Sequence, residues 1–350
     1  MTFKICRIPG DGIGVDVMKA GMIVLDAMNL PIEWVDADAG WCMWEKYGNT
    51  VPEQTWEVLK NTDACLFGAI TSKPGIKGFK SAILQIRQKF DLYANIRPVK
   101  AFKGVPLNYR DDINLVIFRE NTECLYSGIE WYPVPEEMFA LHPGFERFRG
   151  KDISASLRVF SREGCRRIIK KAFEYAKSVG HKSVTAVHKA NVIRLTDGMF
   201  LEEAQKIAKE YPEIELWEVN VDAMCMWLIK QPQIYQTIVT TNMFGDIISD
   251  EAAQLVGSLG FAASGNIGDK YALFEPAHGS APKYAGQFKV NPTAMILSSK
   301  MLLDWLGLKS EAVRLENAVA KVLEKGEVRT YDLGGNNSTL EMAEAIAKEL

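Results

Sequence analysis

Three arginines stand in segments whose composition suits the binding of small organic acids. Arg87 lies in LQIRQK, Arg97 in NIRPVK and Arg119 in IFRENTE. A guanidinium group holds a carboxylate through two parallel hydrogen bonds, so three of them converging on one pocket would suit a di- or tricarboxylic acid. Spacing alone does not bring the three together, and each one taken singly is also compatible with a surface position.

Two acidic residues four positions apart indicate a metal site. In TTNMFGDIISDEAAQL, Asp246 and Asp250 fall on one face of the helix that FGD would begin. Carboxylate oxygens are preferred ligands of Mg²⁺ and Mn²⁺, and Asp222 in VNVDAM is a third candidate. The alternative is the attraction of acids to a helix N-terminus, which accounts for Asp246 but not for Asp250.

Lys189, in TAVHKANVIRLTDGMF, follows a strand-like run at the point where the strand would end. Open α/β sheets bind ligands at the carboxyl ends of their strands. A lysine there, beside acids and a metal ion, would be suited to proton transfer. The alternative is a solvated surface lysine.

Two glycine-containing loops are candidates for nucleotide binding. In the opening RIPGDGIG, Val15 stands where the dinucleotide fingerprint needs a third small residue. A glycine turn that needs positive φ angles is therefore the better interpretation. The second loop, in ALFEPAHGSAPKYAG, includes His278 and can present backbone N–H groups and an imidazole to phosphates or a ribose.

Strand-like runs alternate with amphipathic stretches along most of the chain, from FKICRI through DACLFGAI to TIVTT. This alternation predicts βαβ units and a mostly parallel sheet covered on both faces. In EGCRRIIKKAFEYAKSVG, apolar residues recur at helical spacing, and Gly180 is expected to end the helix.

Residues 127–152 interrupt this alternation with three prolines and several aromatic residues. A connection this long with so much apolar content is rarely a free loop. We interpret it as an arm that packs on a partner subunit; the alternative is a disordered insertion.

The composition excludes several classes of partner. The 350 residues carry a net charge of −3, which provides no basic surface for nucleic acid or an anionic membrane. Six cysteines without a CxxC pair argue against a zinc ribbon and fit a reducing compartment. The start MTFKICRIPG has no signal-peptide pattern, so a cytoplasmic protein is expected.

In order, IPGDGIG, DLYANIRP, RENTE, HKAN, TTNMFGDIISD, GNIGD, HGSAP and YDLGG resemble motifs of the metal-dependent β-decarboxylating dehydrogenases, which act on isocitrate, homoisocitrate or 3-isopropylmalate. The resemblance covers essentially the whole chain. It implies a two-domain α/β fold with a mostly parallel central sheet that is not a Rossmann fold. The large domain is expected at 1–98 and 253–350, and the small domain at 99–252 with a dimerisation arm at about 127–160.

The resemblance also assigns roles to the candidate residues. Arg87, Arg97 and Arg119 would clamp the malate part of the substrate, and Tyr126 and Lys189 would be the catalytic pair. A homodimer with shared active sites is implied, in which Lys189 and Asp222 reach the neighbouring subunit's site. Asp222, Asp246 and Asp250 would bind Mg²⁺ or Mn²⁺. The cofactor contacts that it implies are Ile13, Thr71, Asn191, Glu275, His278, Gly279, Ser280, Ala281, Lys283, Tyr284, Val290, Asn291 and Tyr331.

Substrate choice in this family depends mainly on the helix that carries the first arginine. Ser81 matches the isocitrate members, where it would bind the third carboxylate, whereas Ile83 departs from the asparagine of many of them. We expect oxidative decarboxylation of isocitrate to 2-oxoglutarate, with homoisocitrate or 3-isopropylmalate as alternatives. A catalytically silent regulatory subunit is the non-enzyme alternative, although such subunits usually lose a clamp arginine, the tyrosine or a metal acid.

The nicotinamide cofactor is expected to be NADP⁺, with NAD⁺ as the alternative. Lys283, Tyr284 and Tyr331 match the NADP-type pattern, and a lysine can meet a 2′-phosphate with charge-assisted bonds. Gly335 favours NAD⁺, because NADP-type bacterial isocitrate enzymes resemble this chain but carry an arginine at that position.

Overall fold

The computed structural model describes residues 2–350 and builds them around one ten-stranded sheet, with a two-stranded sheet beside it. The strands are β1 (Phe3–Gly10), β2 (Ile32–Asp36), β3 (Ala64–Ala69), β4 (Ala94–Lys100), β5 (Asn114–Glu120), β6 (Glu130–Trp131), β7 (Ala155–Ser156), β8 (Ser183–His188), β9 (Glu215–Asn220), β10 (Thr237–Thr240), β11 (Ala263–Ile267) and β12 (Ala272–Pro276). The α-helices are α1 (Ile13–Ala27), α2 (Trp41–Tyr47), α3 (Glu53–Lys60), α4 (Ala82–Lys89), α5 (Glu137–Leu141), α6 (Arg162–Val179), α7 (Thr196–Ala208), α8 (Val221–Lys230), α9 (Asn242–Gln254), α10 (Thr293–Trp305), α11 (Lys309–Lys325) and α12 (Thr339–Lys348).

The large sheet has the strand order β2-β1-β3-β12-β11-β4-β5-β10-β8-β9. Among residues 2–350, six of its nine neighbouring pairs are parallel, which confirms the prediction of a mostly parallel α/β sheet. The three antiparallel pairs join β12, β11, β4 and β5 at its centre. All six residues of β3 and all six of β8 are buried, as expected for strands covered on both faces.

The antiparallel centre places polar side chains of three strands side by side. Asn95 of β4 lies opposite Asn266 of β11 on one side and opposite Arg119 of β5 on the other. Directly opposed residues of antiparallel strands point to the same face of a sheet, and Arg97, two positions along β4, points there too. The sheet itself therefore brings two of the arginines together.

Helix α6 follows its sequence pattern closely. Its buried residues include Cys165, Ile168, Ile169, Ala172, Phe173 and Ala176, as the helical spacing predicts. The Ser161 side chain caps the first turn by accepting a hydrogen bond from the Gly164 N–H, and Gly180 ends the helix at φ 76°.

Helix α9 packs closely on β5. A Cβ atom at Gly245 would lie 2.6 Å from Cγ of Arg119, so only glycine permits this approach. The helix that carries Asp246 and Asp250 is thereby pressed against the strand that carries Arg119.

The predicted arm has regular structure. Glu130–Trp131 pairs with Ala155–Ser156, and α5 lies in the connection between them, so the alternative of a disordered insertion is wrong. Tyr132 and Leu141 are about 70% exposed, and packing on a partner stays a prediction. The predicted domain division also stays a prediction; residue 1 lies outside the described part of the chain. Between residues 2 and 350, the chain forms no helix with the length and apolar character needed to cross a membrane.

Candidate functional site

The three arginines converge on one cleft of about 400 Å³. Arg87 on α4, Arg97 on β4 and Arg119 on β5 are 6%, 7% and 1% exposed. Buried cations need compensating partners, and here acidic and amide side chains supply them. The convergence that spacing could not establish is a feature of the structure.

Asp246 is the anion between two of these arginines. It pairs with Nη1 of Arg119 and lies 3.4 Å from Nη2 of Arg97. Burial opposes ionisation of Asp246, but the positive charge of Arg119 and the Tyr126 hydrogen bond outweigh it, so its pKa lies below the usual range. Asp250, 3.2 Å from Nη1 of Arg97, differs because burial dominates and raises its pKa.

Tyr126 stands at the same point of the cleft. Its hydroxyl donates a hydrogen bond to Oδ2 of Asp246 at 2.6 Å, and its ring faces the Arg119 guanidinium at 4.9 Å. Burial, together with Asp246, raises its pKa despite the charge of Arg119. The phenol therefore keeps its proton at neutral pH and can serve as a proton donor.

The acids fit a divalent cation only in part. Asp246 and Asp250 present oxygen donors on one face of α9, which is the chemistry that Mg²⁺ and Mn²⁺ require. Within residues 2–350, however, no three acidic, histidine or cysteine side chains are grouped so that they could hold a metal ion. Asp222 does not join the other two; its exposed carboxylate accepts a hydrogen bond from Nζ of Lys189 at 2.5 Å. One copy of the chain thus supplies two of the three predicted ligands.

Lys189 directly follows β8, as predicted, but it does not line the arginine cleft of its own chain. Its backbone N–H donates to Asp197, a fully buried carboxylate that also pairs with Arg158 at 2.6 Å. The hydrogen bond from Lys189 and the ion pair with Arg158 both hold Asp197, and together they fix the turn after β8. Lys189 and Asp222 therefore form a second polar pair, separate from the clamp.

The wall of the cleft beside the clamp is apolar. Ile70, which follows β3, and Ile83 and Leu84 of α4 line it together. Ser81 also lines it, with Oγ 3.5 Å from that of Ser72. The lining side chains include three cations, and these are the clamp arginines. In the part of the chain that the structure describes, no further lysine or arginine lines this cleft.

The opening glycine loop is held against the HGSAP loop. The carboxylate of Asp11 accepts hydrogen bonds from the backbone N–H groups of Trp41, Cys42 and Thr71 at 2.7–2.9 Å. Gly10 and Gly12 have φ angles of 76° and 56°, in agreement with the turn interpretation. The Ile13 N–H donates to the Ser280 carbonyl at 2.9 Å.

Other predicted cofactor residues extend this surface. The hydroxyls of Thr71 and Ser280 share a hydrogen bond of 2.5 Å, and Gly279 is exposed beside them. Ala281 has φ 33° and begins the turn that carries Lys283 and Tyr284. His278 has a buried Nε2 without a partner among the described residues, and burial lowers the pKa of its imidazole.

Two aromatic rings border the same region. Tyr284 and Tyr331 have ring centroids 5.9 Å apart, and Nζ of Lys283 lies 4.8 Å from the Tyr284 ring. Asn291 donates to Asp332 at 3.1 Å, directly after Tyr331, and the Val290 carbonyl accepts from Thr339 at 2.6 Å. Asn191 is exposed on the turn after β8, near Lys189 in the sequence rather than in this group.

Glu275, for which the family resemblance implies a cofactor contact, also has a partner in the clamp. Its carboxylate forms a buried ion pair with Nη2 of Arg87 at 3.0 Å. Asn95, Asn121 and Asn266 are buried polar residues that sequence reasoning missed. Alternation of polar residues in YANIRP and ASGNIGD was a signal that two strands direct polar side chains to one face.

Comparison with known proteins covers nearly the whole chain. Residues 4–346 match the family model described as isocitrate/isopropylmalate dehydrogenase. The chain is 48% identical to the 3-isopropylmalate dehydrogenase of Methanothermobacter thermautotrophicus, covering 100% of this chain and 99% of that protein. It is 45% identical to the isocitrate/homoisocitrate dehydrogenase of Thermus thermophilus, with the same coverage. The crystal structure of isocitrate dehydrogenase from Methylococcus capsulatus superposes with a TM-score of 0.92 at 42% identity, covering 99% of both chains.

Proposed function

Because the chain belongs to the isocitrate/isopropylmalate dehydrogenase family, we propose that it oxidises and decarboxylates a malate with an alkyl group at carbon 3, of the 3-isopropylmalate class. The family membership carries the reaction type. The substrate class rests on one observation, which is the apolar wall of Ile70, Ile83 and Leu84 beside the arginine clamp.

The wall suits an alkyl group better than a third carboxylate. Burying a carboxylate against three aliphatic side chains without a cation costs several kcal/mol, whereas burying an isopropyl group there is favourable by about 1–3 kcal/mol. Ser81 offers a single hydroxyl, which does not replace a cation. The expectation of isocitrate gave Ser81 more weight than Ile83, and the observations favour the 3-isopropylmalate alternative.

The clamp would bind the two carboxylates of the malate unit. Arg87, Arg97 and Arg119 all line the cleft, and Nε of Arg87 has no hydrogen-bond partner among the described residues. Arg97 and Arg119 now contact Asp246, a contact that a bound substrate would share. Guanidinium groups already fixed by protein hydrogen bonds lose little freedom when they bind.

Tyr126 and Lys189 would carry out the two proton transfers. Tyr126, neutral and hydrogen-bonded in the cleft, would protonate the carbon that loses the carboxylate. Lys189 would remove the hydroxyl proton during oxidation. Since Lys189 does not line the cleft of its own chain, it would act in the site of a second copy.

A divalent cation and a nicotinamide cofactor would supply chemistry that no side chain provides. A divalent cation beside Asp246 and Asp250 would polarise the oxygen that becomes the keto group. A nicotinamide dinucleotide along the HGSAP loop would accept the hydride. Lys283, beside Tyr284 and Tyr331, is the reason to expect NADP⁺.

A homodimer would complete the site. Met226 and Ile229 of α8 are 50% and 55% exposed, and Ile247 of α9 is 51% exposed. These helices also carry Asp222, Asp246 and Asp250, so a second copy covering this apolar face would bring its own Asp222 and Lys189 toward the cleft.

The test is a matrix of 3-isopropylmalate, isocitrate and homoisocitrate against NAD⁺ and NADP⁺, with and without Mg²⁺, followed by absorbance of the reduced nicotinamide. We expect the highest kcat/KM with 3-isopropylmalate and dependence on Mg²⁺. A preference for isocitrate or homoisocitrate would support the second candidate, which Ser81 favours. Absence of turnover in every cell of the matrix would support a silent regulatory subunit.

A further inference from the structure

A continuous line of buried hydrogen bonds joins two arginines of the clamp. Nε of Arg97 donates to Oδ1 of Asn95 at 2.9 Å, and Nδ2 of Asn95 donates to Oδ1 of Asn266 at 2.9 Å. Nδ2 of Asn266 then donates to Oε1 of Glu275 at 2.8 Å, and the same oxygen accepts from Nη2 of Arg87 at 3.0 Å. We call the side chains of Asn95, Asn266 and Glu275 the polar relay.

The register of the sheet builds the relay. Asn266 of β11 lies opposite Asn95 of β4, and Glu275 of β12 lies opposite Ser264, two residues before Asn266 on β11. The relay therefore crosses three neighbouring strands on one face. Both asparagines are fully buried and Glu275 is 8% exposed, so water does not substitute for a lost bond.

The direction of each amide is determined by its surroundings. Oδ1 of Asn266 receives N–H groups from both Asn95 and Asn121, while Nδ2 faces the Glu275 carboxylate. Reversing the amide would set its N–H groups against two donors and its oxygen against an anion. From Arg97 to Glu275, every N–H points the same way, from the cation toward the anion, and such aligned bonds strengthen one another.

We propose that Asn266 is a positioning residue that fixes the two clamp arginines relative to each other. It holds Glu275, which holds Arg87, and through Asn95 it holds Nε of Arg97. The relay contacts Arg97 only at Nε and Arg87 only at Nη2, and both arginines line the cleft in which the substrate carboxylates would lie. This inference rests on the proposed function, because it assigns the clamp to carboxylate binding.

The decisive variant is Asn266→Asp, which keeps the shape and both acceptor positions. It cannot donate to Glu275, and the new carboxylate repels it. Arg87 should then lose its fixed partner. We expect the Kd of the hydroxyacid to rise at least about tenfold, measured by calorimetry with Mg²⁺ and 3-isopropylmalate, and KM to rise by a similar factor with kcat changed less.

Rescue separates positioning from a general structural defect. In the double variant Asn266→Asp with Glu275→Gln, the introduced amide can donate to the introduced carboxylate and still accept from Arg87. Recovery of at least about half of the lost binding free energy is expected, and a loss of affinity equal to the sum of the single variants contradicts the relay. Ser264→Ala is the matched control, because Ser264 accepts from Asn95 at 2.8 Å but lies off the line between the arginines.

The outcomes distinguish the two proposals. If the unaltered chain neither binds nor oxidises any of the three acids, the proposed function fails. If it does so and Asn266→Asp binds the acid with unchanged affinity, only the relay is refuted. If Ser264→Ala raises the Kd of the hydroxyacid as much as Asn266→Asp does, the relay is also refuted, because the loss of any buried hydrogen bond would then have the same effect.

Discussion

The hydroxyl of Tyr126 and the carboxylate of Asp246 share a hydrogen bond of 2.6 Å, and Asp246 also pairs with Arg119. One carboxylate thus contacts the proposed proton donor, a clamp arginine and the proposed metal position. Binding of the acid, binding of the metal and proton transfer therefore meet at a single residue of α9.

Replacing Tyr126 with phenylalanine should remove the proton donor and leave the ring stacked near Arg119. We expect kcat to fall by about 10²–10⁴-fold, which is the usual contribution of a positioned acid, with a much smaller change in KM. Steady-state kinetics together with a thermal melt would check this. A variant that melts normally and keeps its full kcat would remove Tyr126 from the mechanism.

The apolar wall should decide which acid is used. Ile83→Asn replaces an aliphatic contact with an amide that can bind a carboxylate but leaves an isopropyl group against a polar surface. We expect the ratio of kcat/KM for 3-isopropylmalate to that for isocitrate to fall by about 100-fold. Ser81→Ala is the matched control at the residue that precedes the same helix, and it should leave the rate with 3-isopropylmalate within about twofold. An unchanged ratio in Ile83→Asn would show that the wall does not contact the substituent.

Sharing of the site between two copies can be tested by complementation. Lys189→Met and Tyr126→Phe should each be inactive as pure proteins. In a hybrid dimer, one site would receive an intact Tyr126 from one chain and an intact Lys189 from the other. Random mixing makes about half of the dimers hybrid, and one of the two sites in each hybrid is intact, so about a quarter of the activity of the unaltered protein should return. If Lys189 acts within its own chain, every site carries a defect and mixing restores nothing.

A prediction about stability concerns Glu316 of α11, which pairs with Lys100 and lies 3.3 Å from Lys300. Burial raises the pKa of Glu316, but the hydrogen bond from Lys100 and the charges of both lysines outweigh it, so that pKa lies below its usual range. Its stabilising effect is therefore present above the pKa of the unfolded chain and is lost as pH falls through the folded-state pKa.

Glu316→Gln should accordingly lower the free energy of unfolding by about 1–2 kcal/mol at pH 7, with the difference shrinking near about pH 3. Denaturant unfolding at both pH values measures it. Glu324→Gln is the control, because Glu324 and Lys103 are exposed and 3.7 Å apart, and it should cost about 0.5 kcal/mol or less. A constant difference at both pH values would mean that Glu316 acts through packing rather than charge.

Local patterns in the sequence were sufficient for several of these features. The apolar spacing in α6 and the glycine after it follow from helix geometry, and the shared face of Asp246 and Asp250 follows from four-residue spacing. The mostly parallel sheet follows from alternating strands and helices. Each of these depends on residues close together in the chain.

What could not be predicted depends on pairing between distant segments. The antiparallel insertion of β4 and β11 sets Arg97 beside Arg119, and no local signal specifies that register. The Arg87–Glu275 pair joins residues 188 positions apart, so the role of Glu275 as a partner of the clamp was missed. The expectation of isocitrate, which rested on Ser81, failed to foresee the apolar wall for the same reason. That wall includes Ile70, which comes from a different element of the chain.

The contact between Gly245 and Arg119 has a consequence for how this scaffold can change. With the arginine stem filling the space beside the glycine, no side chain can be added at position 245 without displacing Arg119. The apolar wall is made of Ile70, Ile83 and Leu84, whose side chains can be exchanged for others of similar size. New substrate preferences are therefore expected to evolve more readily through that wall than through position 245.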